Sequence, residues 1–180
     1  VRDGAGCAAG SFNMADEEDR PGDGIPLGGG PADPLPELRP DTVPLGIPLA
    51  SLRGVVTLAD AVAYAEGTDD PTPWYRGESP FGGPLVPPGW LAARQAPLLR
   101  HNFRFGPSIH ARSVIRHLAP AFAGRSYVTA GVIRERFERN GNHYLLLDAE
   151  TRDDENRPVC RIMHTTIYQV KQVGASSTER

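Results

Sequence analysis

Asp69-Asp70-Pro71-Thr72-Pro73-Trp74-Tyr75-Arg76, followed by Phe81-Gly82-Gly83-Pro84-Leu85-Val86-Pro87-Pro88-Gly89-Trp90-Leu91, is where this chain devotes the most residues to special backbone geometry. It runs straight into a helix-sized apolar segment, and loops held by a rigid scaffold are where binding and catalysis concentrate. Upstream, Thr57-Leu58-Ala59-Asp60 reads as a helix start, with Thr57 as cap and Asp60 three residues on completing a capping box. The expected helix covers 58–66, with Leu58, Val62 and Ala65 on one face, Ala61 beside them and Gly67 as the stop. Downstream, Pro88 opens a second helix at a position where its missing N–H costs little. Trp90, Leu91, Ala92, Ala93 and Ala96 make that helix apolar nearly all round, which predicts burial. Pro97 is expected to end or kink it, leaving 98–105 as connection plus edge structure.

From residue 109 the period of the pattern changes to that of strands, expected at 109–118, 126–139, 142–153 and 158–170. In the last of these, Cys160, Ile162, His164, Thr166 and Tyr168 share one face; in 142–153, Leu145, Leu147 and Ala149 oppose Tyr144, Leu146 and Asp148. Asn140-Gly141 between two strands is a strong two-residue hairpin signal, and Asp153-Asp154-Glu155-Asn156 forms a second turn. Sequential hairpins imply an antiparallel meander. A long, twisted antiparallel sheet with one buried helix is an α+β domain. The run Arg134-Glu135-Arg136-Phe137-Glu138-Arg139 marks a charged strand face and sheet edge.

The 180 residues suit one domain of ordinary size, and hydrophobic residues make up 39% of them. Residues 1–50 hold nine glycines, eight prolines, nine acidic and three basic residues. That composition predicts a disordered acidic tail over 1–48, a folded domain over 49–172 and a short disordered C-terminus over 173–180. The net charge of −3 therefore belongs to the tail; the mildly positive remainder suits an anionic ligand and is far from a nucleic-acid footprint. No apolar run approaches membrane-span length, and no basic region followed by an apolar one marks a signal peptide. Met14 is a candidate alternative start. Cys7 and Cys160 make neither a disulfide framework nor a metal pattern, so a cytoplasmic protein without bound metal is expected.

From about residue 52 to 170 the chain resembles the MaoC-like hydratase/dehydratase superfamily, and within it the N-terminal, FAS1-like dehydratase branch. Asp70-Pro71-Thr72-Pro73-Trp74-Tyr75 is similar to a family pattern Asp-x-Asn-Pro-x-His/Tyr; Phe81 to Pro88, His110-Ala111 and His117-Leu118-Ala119-Pro120 also match. The resemblance implies a single hot-dog domain, a curved antiparallel sheet wrapped around a central helix. It further implies dimerisation through sheet edges, as a homodimer or as a heterodimer with a second hot-dog chain. It implies acyl-thioester ligands on coenzyme A or an acyl carrier protein, bound as substrate with no resident cofactor; neither nucleic acid nor a membrane is expected as a partner.

Hydration of a 2-enoyl thioester needs a polarised thioester oxygen, a base for the attacking water and an acid for C2. In the family a backbone N–H at the start of the buried helix serves the oxygen, and Gly89 occupies that position. The family's acid/base pair, an Asp and a His on the preceding loop, maps onto Asp70 and Tyr75. A tyrosine, with an ordinary pKa of about 10, is a poor base near neutrality. Candidate catalytic residues are thus Asp70, Tyr75 and Gly89; candidate substrate-binding residues are Arg76, Gly82, Gly83, Pro84, Val86, Trp90 and His110. Each has a plainer alternative: Asp70 as a turn residue, Tyr75 and Trp74 as packing, Cys160 as a small core residue. Two versions of the function follow: a competent hydratase/dehydratase, or a substrate-binding half whose partner chain carries the Asp/His pair. A hot-dog thioesterase and a non-catalytic acyl-ligand-binding partner are the alternatives; the expected helix 88–96 holds no acid of the kind a thioesterase needs.

Overall fold

The structure is a computed structural model and describes residues 24–171. Five strands form one antiparallel sheet: β1 (Leu52–Val56), β2 (Ile109–His117), β3 (Arg125–Arg139), β4 (Asn142–Arg152) and β5 (Pro158–Gln169). Their order is β1-β3-β4-β5-β2. Strands β3 to β5 are the expected meander, with boundaries within one residue of the sequence reading. β2 does not extend it; the chain crosses over so that β2 pairs with β5, from Ile109↔Ile167 to His117↔Cys160. β1 was not anticipated as a strand, and it pairs with the start of β3. At the hairpin, Asn140 and Gly141 both take positive φ (54° and 77°), the turn that matches the twist of its strands.

Helix α1 (Leu58–Gly67) carries the expected capping box: Thr57 Oγ1 accepts from the Asp60 N–H, and Asp60 accepts from the Thr57 N–H. Ala61 and Ala65 are its buried residues, whereas Leu58 is exposed. The single helix expected at 88–96 is two helices, α2 (Pro88–Ala92) and α3 (Gln95–Asn102). Pro97 neither ends nor kinks the chain, because it is the third residue of α3, where the N–H has no partner within the helix. Residues 98–102, expected as connection, are the core of α3. Gln95, Leu98, Leu99 and Asn102, spaced three and four apart, face inward. Leu98 presses on Gly131 of β3; a Cβ there would lie 2.6 Å from its methyl, so only glycine allows this helix so close to the sheet.

Leu98, Leu99 and Phe103 pack with Ile133, Leu145, Leu147, Ala149 and Tyr168. A second cluster joins Val86 and Leu91 to Tyr127, Val159, Cys160 and Ile162. Helix enclosed by sheet is the expected α+β hot-dog arrangement. The expected tail needs correction over 24–48, which is packed on the domain. Leu38 and Val43 lie in the first cluster, and Ile25 seals Ala130 and Val132 on the opposite sheet face. The Gly46 and Leu49 N–H groups donate to Ile133 and Gly131 of β3, and Asn102 clamps both backbone groups of Ala50. A few apolar side chains, well placed along a proline-rich path, anchor a segment that average composition assigns to disorder. Residues 1–23 and 173–180 lie outside the described residues.

Candidate functional site

The resemblance centres on the segment after α1, which the structure builds tightly. Asp69 takes positive φ (52°), and the Asp70 N–H caps α1 by donating to Ala65 O. Asp70 Oδ1 accepts from the Thr72 N–H at 3.0 Å, the local turn bond for which Asp is favoured. A 3-10 turn, Pro73–Tyr75, follows and buries Tyr75. Downstream, the Leu85 N–H donates to Trp74 O, the Val86 N–H to Ala121 O and the Ala123 N–H to Pro84 O. These bonds strap loop 84–86 onto the β2–β3 connection. Tyr127 Oη fixes that connection from beneath, donating to Phe122 O (2.8 Å) and accepting from Phe122 N–H (2.7 Å). Its burial pushes the phenol pKa up to about 12.

Between these segments lies a cleft of about 500 Å³. Thr72, with Trp74 and Tyr75 of the 3-10 turn, and Phe81 line it from the segment after α1. Leu85 and Val86, then Pro88 and Leu91 of α2, line it next. His117, ending β2, and Leu118 to Ala121 complete the lining. Carbon lines most of it; the Thr72 hydroxyl, Trp74 indole, Tyr75 phenol and His117 imidazole are its polar side chains. Phe81, Leu118 and Trp74 are 56%, 50% and 41% exposed, an apolar rim open to water.

Of the residues chosen from sequence, Tyr75 and Val86 line this cleft. Asp70 does not, though it lies beside Tyr75. The Thr72 side chain, and then its backbone turn bond, lowers the Asp70 pKa, with Tyr75 and Arg76 adding to the effect. Burial, and then the Asp70 charge, raises that of Tyr75. The pair is therefore fixed as carboxylate and phenol, which suits hydrogen bonding and opposes proton exchange between them. Arg76 bridges to Glu66 at 3.7 Å. Gly89 sits in the first turn of α2, where an N–H lacks a partner within the helix. A Cβ there would lie 2.7 Å from the Tyr64 hydroxyl, so its glycine is explained by α1 packing as well. Trp90 faces away, tilted against Tyr127 and under the Arg94 guanidinium, 4.7 Å from its ring. Gly82 and Gly83 take positive φ in the loop leading to Pro84.

His110 lies elsewhere on β2. Ser113 Oγ meets His110 Nε2 at 3.0 Å and His164 Nδ1 at 2.8 Å, and the two rings stand edge to face at 4.7 Å. Burial, with the neighbouring His110, pulls the His164 pKa down to about 4, so its imidazole is neutral at physiological pH. Cys160 is fully buried and its thiol pushed up to about 11, a core residue and no nucleophile. No group of three or more His, Cys, Asp or Glu among the described residues has the arrangement of a metal site. None of the described helices is long and apolar enough to cross a membrane.

Sequence reasoning missed His117 and the wall at 118–121. The signal was present in His117-Leu118-Ala119-Pro120, a matched stretch with no role attached. Only the crossover that sends β2 to the far edge brings that stretch into the same cleft as Tyr75.

Models of known protein families give no match to the chain, and neither do curated proteins. Solved structures do match. A MaoC-like dehydratase from Rhodospirillum rubrum superposes with a TM-score of 0.62 at 20% identity, over 75% of this chain and 99% of its own. The R-hydratase of Pseudomonas aeruginosa gives 0.63 at 11%, over 78% and 94%. The HadBC complex of Mycobacterium tuberculosis, a 3R-hydroxyacyl-ACP dehydratase, gives 0.59 at 13%, over 68% and 96%. The fold is thus the hot-dog fold of the MaoC-like dehydratases and R-hydratases. Those structures are spanned almost whole, while roughly a quarter of this chain has no counterpart in them.

Proposed function

We propose that this chain is an acyl-thioester-binding hot-dog protein of the enoyl hydratase/3-hydroxyacyl dehydratase type, acting in the cytoplasm as one of a pair of hot-dog chains. The observation that carries this reading is the apolar cleft where the start of α2 meets Tyr75 and His117. An acyl chain suits walls of carbon. A thioester oxygen suits the Gly89 N–H in the first turn of α2, between the cleft-lining Pro88 and Leu91, since Pro88 has no N–H and the Trp90 N–H donates to Pro87 O. The carrier, coenzyme A or an acyl carrier protein, enters as substrate; no resident cofactor is required.

The pairing follows from β2. It is an edge strand that exposes Ile109 and Ile115 and has β5 on one side only. A nine-residue edge of this kind is a template for a second chain. Two matched structures are, by name, assemblies of two chains, HadBC and ChsH1-ChsH2. The shifts of Asp70 and Tyr75 also favour pairing: a carboxylate whose pKa is lowered is a weaker base and a phenol whose pKa is raised a weaker acid, so the two make a poor version of the acid/base pair the resemblance implied. The thioesterase reading has less support, since α2 and α3 carry no carboxylate.

The test is direct. Purified protein is titrated with butyryl-CoA, following tryptophan fluorescence, and incubated with crotonyl-CoA, following the enoyl absorbance. Saturable binding with loss of enoyl absorbance supports the hydratase reading. Release of free thiol supports thioester hydrolysis instead. Absence of binding to both coenzyme A and carrier-protein thioesters overturns the proposal.

A further inference from the structure

We infer that His117 is the catalytic proton-transfer residue of the cleft, in place of the Asp and His of the family pattern. This rests on the acyl-thioester reading above and goes beyond it by naming the group that moves the proton. Of the side chains lining the cleft, two titrate, Tyr75 and His117. Tyr75 is buried beside a carboxylate that keeps it protonated, so it donates a hydrogen bond and does not accept a proton. Asp70 lies outside the cleft with an oxygen committed to the Thr72 N–H. An imidazole carries both a proton-accepting and a proton-donating ring nitrogen, which makes it the side chain of this cleft suited to moving a proton.

The backbone holds His117 where such a group is needed. It ends β2, paired with Cys160 of β5, and the Leu118 N–H donates to Val159 O at 2.9 Å. Pro88 and Leu91 of α2 line the same cleft. No charged group lines the cleft with it. The buried Cys160 thiol is neutral, and Arg116 is its strand neighbour.

The step balances as follows. A water O–H bond breaks as its oxygen forms the bond to C3, and the proton passes to the His117 imidazole. The C2=C3 π pair shifts toward C1 and places charge on the thioester oxygen. The imidazolium then returns its proton to C2 as the enolate pair forms the C2–H bond. Water has been added across the double bond and His117 is neutral again. Dehydration runs the same path in reverse.

The experiment uses the full chain and its His117→Ala and His117→Gln variants. His117 is exposed, so both should fold, which circular dichroism checks. The expected result is crotonyl-CoA hydration down about 100-fold or more, the usual worth of a positioned general acid/base, against a loss of butyryl-CoA affinity of about 10-fold at most, as for trimming any wall residue. Added imidazole should restore part of the rate to His117→Ala and none to His117→Gln, a rescue that a structural role would not give. Hydration by the wild-type chain that survives both substitutions overturns the role of His117 and leaves the acyl-thioester reading intact. So does wild-type binding of butyryl-CoA with no hydration until a second hot-dog chain is added, because the proton-transfer groups are then the partner's. Absence of both binding and hydration overturns the functional reading itself, and this inference with it.

Discussion

The two ends of the roll are built from similar apolar side chains and finished in opposite ways. At the Phe103 end, Leu38, Val43 and Leu49 arrive from the N-terminal segment and complete a cluster in which every member is at most 6% exposed. At the Leu91 end, Val86, Leu91 and Ala121 are just as buried, yet the cluster opens onto a cleft rimmed by Phe81, Leu118 and Trp74. A chain able to recruit distant residues to seal one end leaves the other apolar and open. Folding of this chain does not account for that surface; the proposed acyl ligand would.

The contrast breaks first at its filled end. Leu98→Ala removes a fully buried side chain wedged against Gly131 and Leu147, a site with little room to collapse. The expected loss is about 3–5 kcal/mol, read from the urea midpoint at constant slope. A loss below about 1 kcal/mol would mean that this end is not packed as described.

The next largest effect tests the edge between the ends, where His164 sits neutral against Ser113 and His110. Its pKa in the fold, about 4, lies below the ordinary value of 6.5, so the unfolded chain binds the proton more readily. The stability it contributes is fully present above about pH 6.5 and drains away as pH falls through about 4, worth up to about 3 kcal/mol over that window. Asp70 and Asp153, whose pKa values are also lowered, lose stability in the same direction at the acid end. The measurement is therefore the difference between wild type and His164→Gln in urea midpoint from pH 7 to pH 4, which should narrow as pH falls. Parallel curves would remove His164 from the account.

The filled part of the fold was largely legible, because it rests on local rules. The capping box at Thr57, the Asn140-Gly141 hairpin and the alternation through β4 and β5 each depend on residues near one another in sequence. What escaped depends on distant partners. Pro97 reads as a helix stopper until α2 and α3 are seen to be separate helices. Ile25, Leu38 and Val43 read as stray apolar residues in a disordered tail until β3, α3 and Asn102 receive that segment. The cleft was half legible: Tyr75 and Val86 came from the motif, whereas His117 depends on a crossover that no periodicity announces. Asp70 shows a motif position kept in place with its chemistry altered by its neighbours, Thr72 first and Tyr75 and Arg76 after it.

A smaller effect separates local from distant support. Thr57→Ala removes the cap of α1 and should cost about 1 kcal/mol in the urea midpoint. Acyl-thioester affinity should not change, since α1 does not line the cleft. A matching loss of affinity would mean that α1 positions the 3-10 turn more directly than its contacts indicate.

The smallest expected effect on stability is the sharpest test of the open end. Leu118 is half exposed and its backbone is held by Val159 O whatever the side chain. Leu118→Ser should therefore shift the urea midpoint by no more than about 0.5 kcal/mol, the usual range for a surface change. The same substitution removes the Cγ and both Cδ atoms of Leu118 from the apolar cleft rim and puts a hydroxyl in their place. If that rim meets an acyl chain, butyryl-CoA binding should weaken about 3- to 10-fold, in line with burial of one or two methylene groups per ligand. Folding and binding would then separate at one residue. A variant that loses stability as Leu98→Ala does would make Leu118 part of the core, and one that binds unchanged would leave the exposed rim without a ligand to explain it.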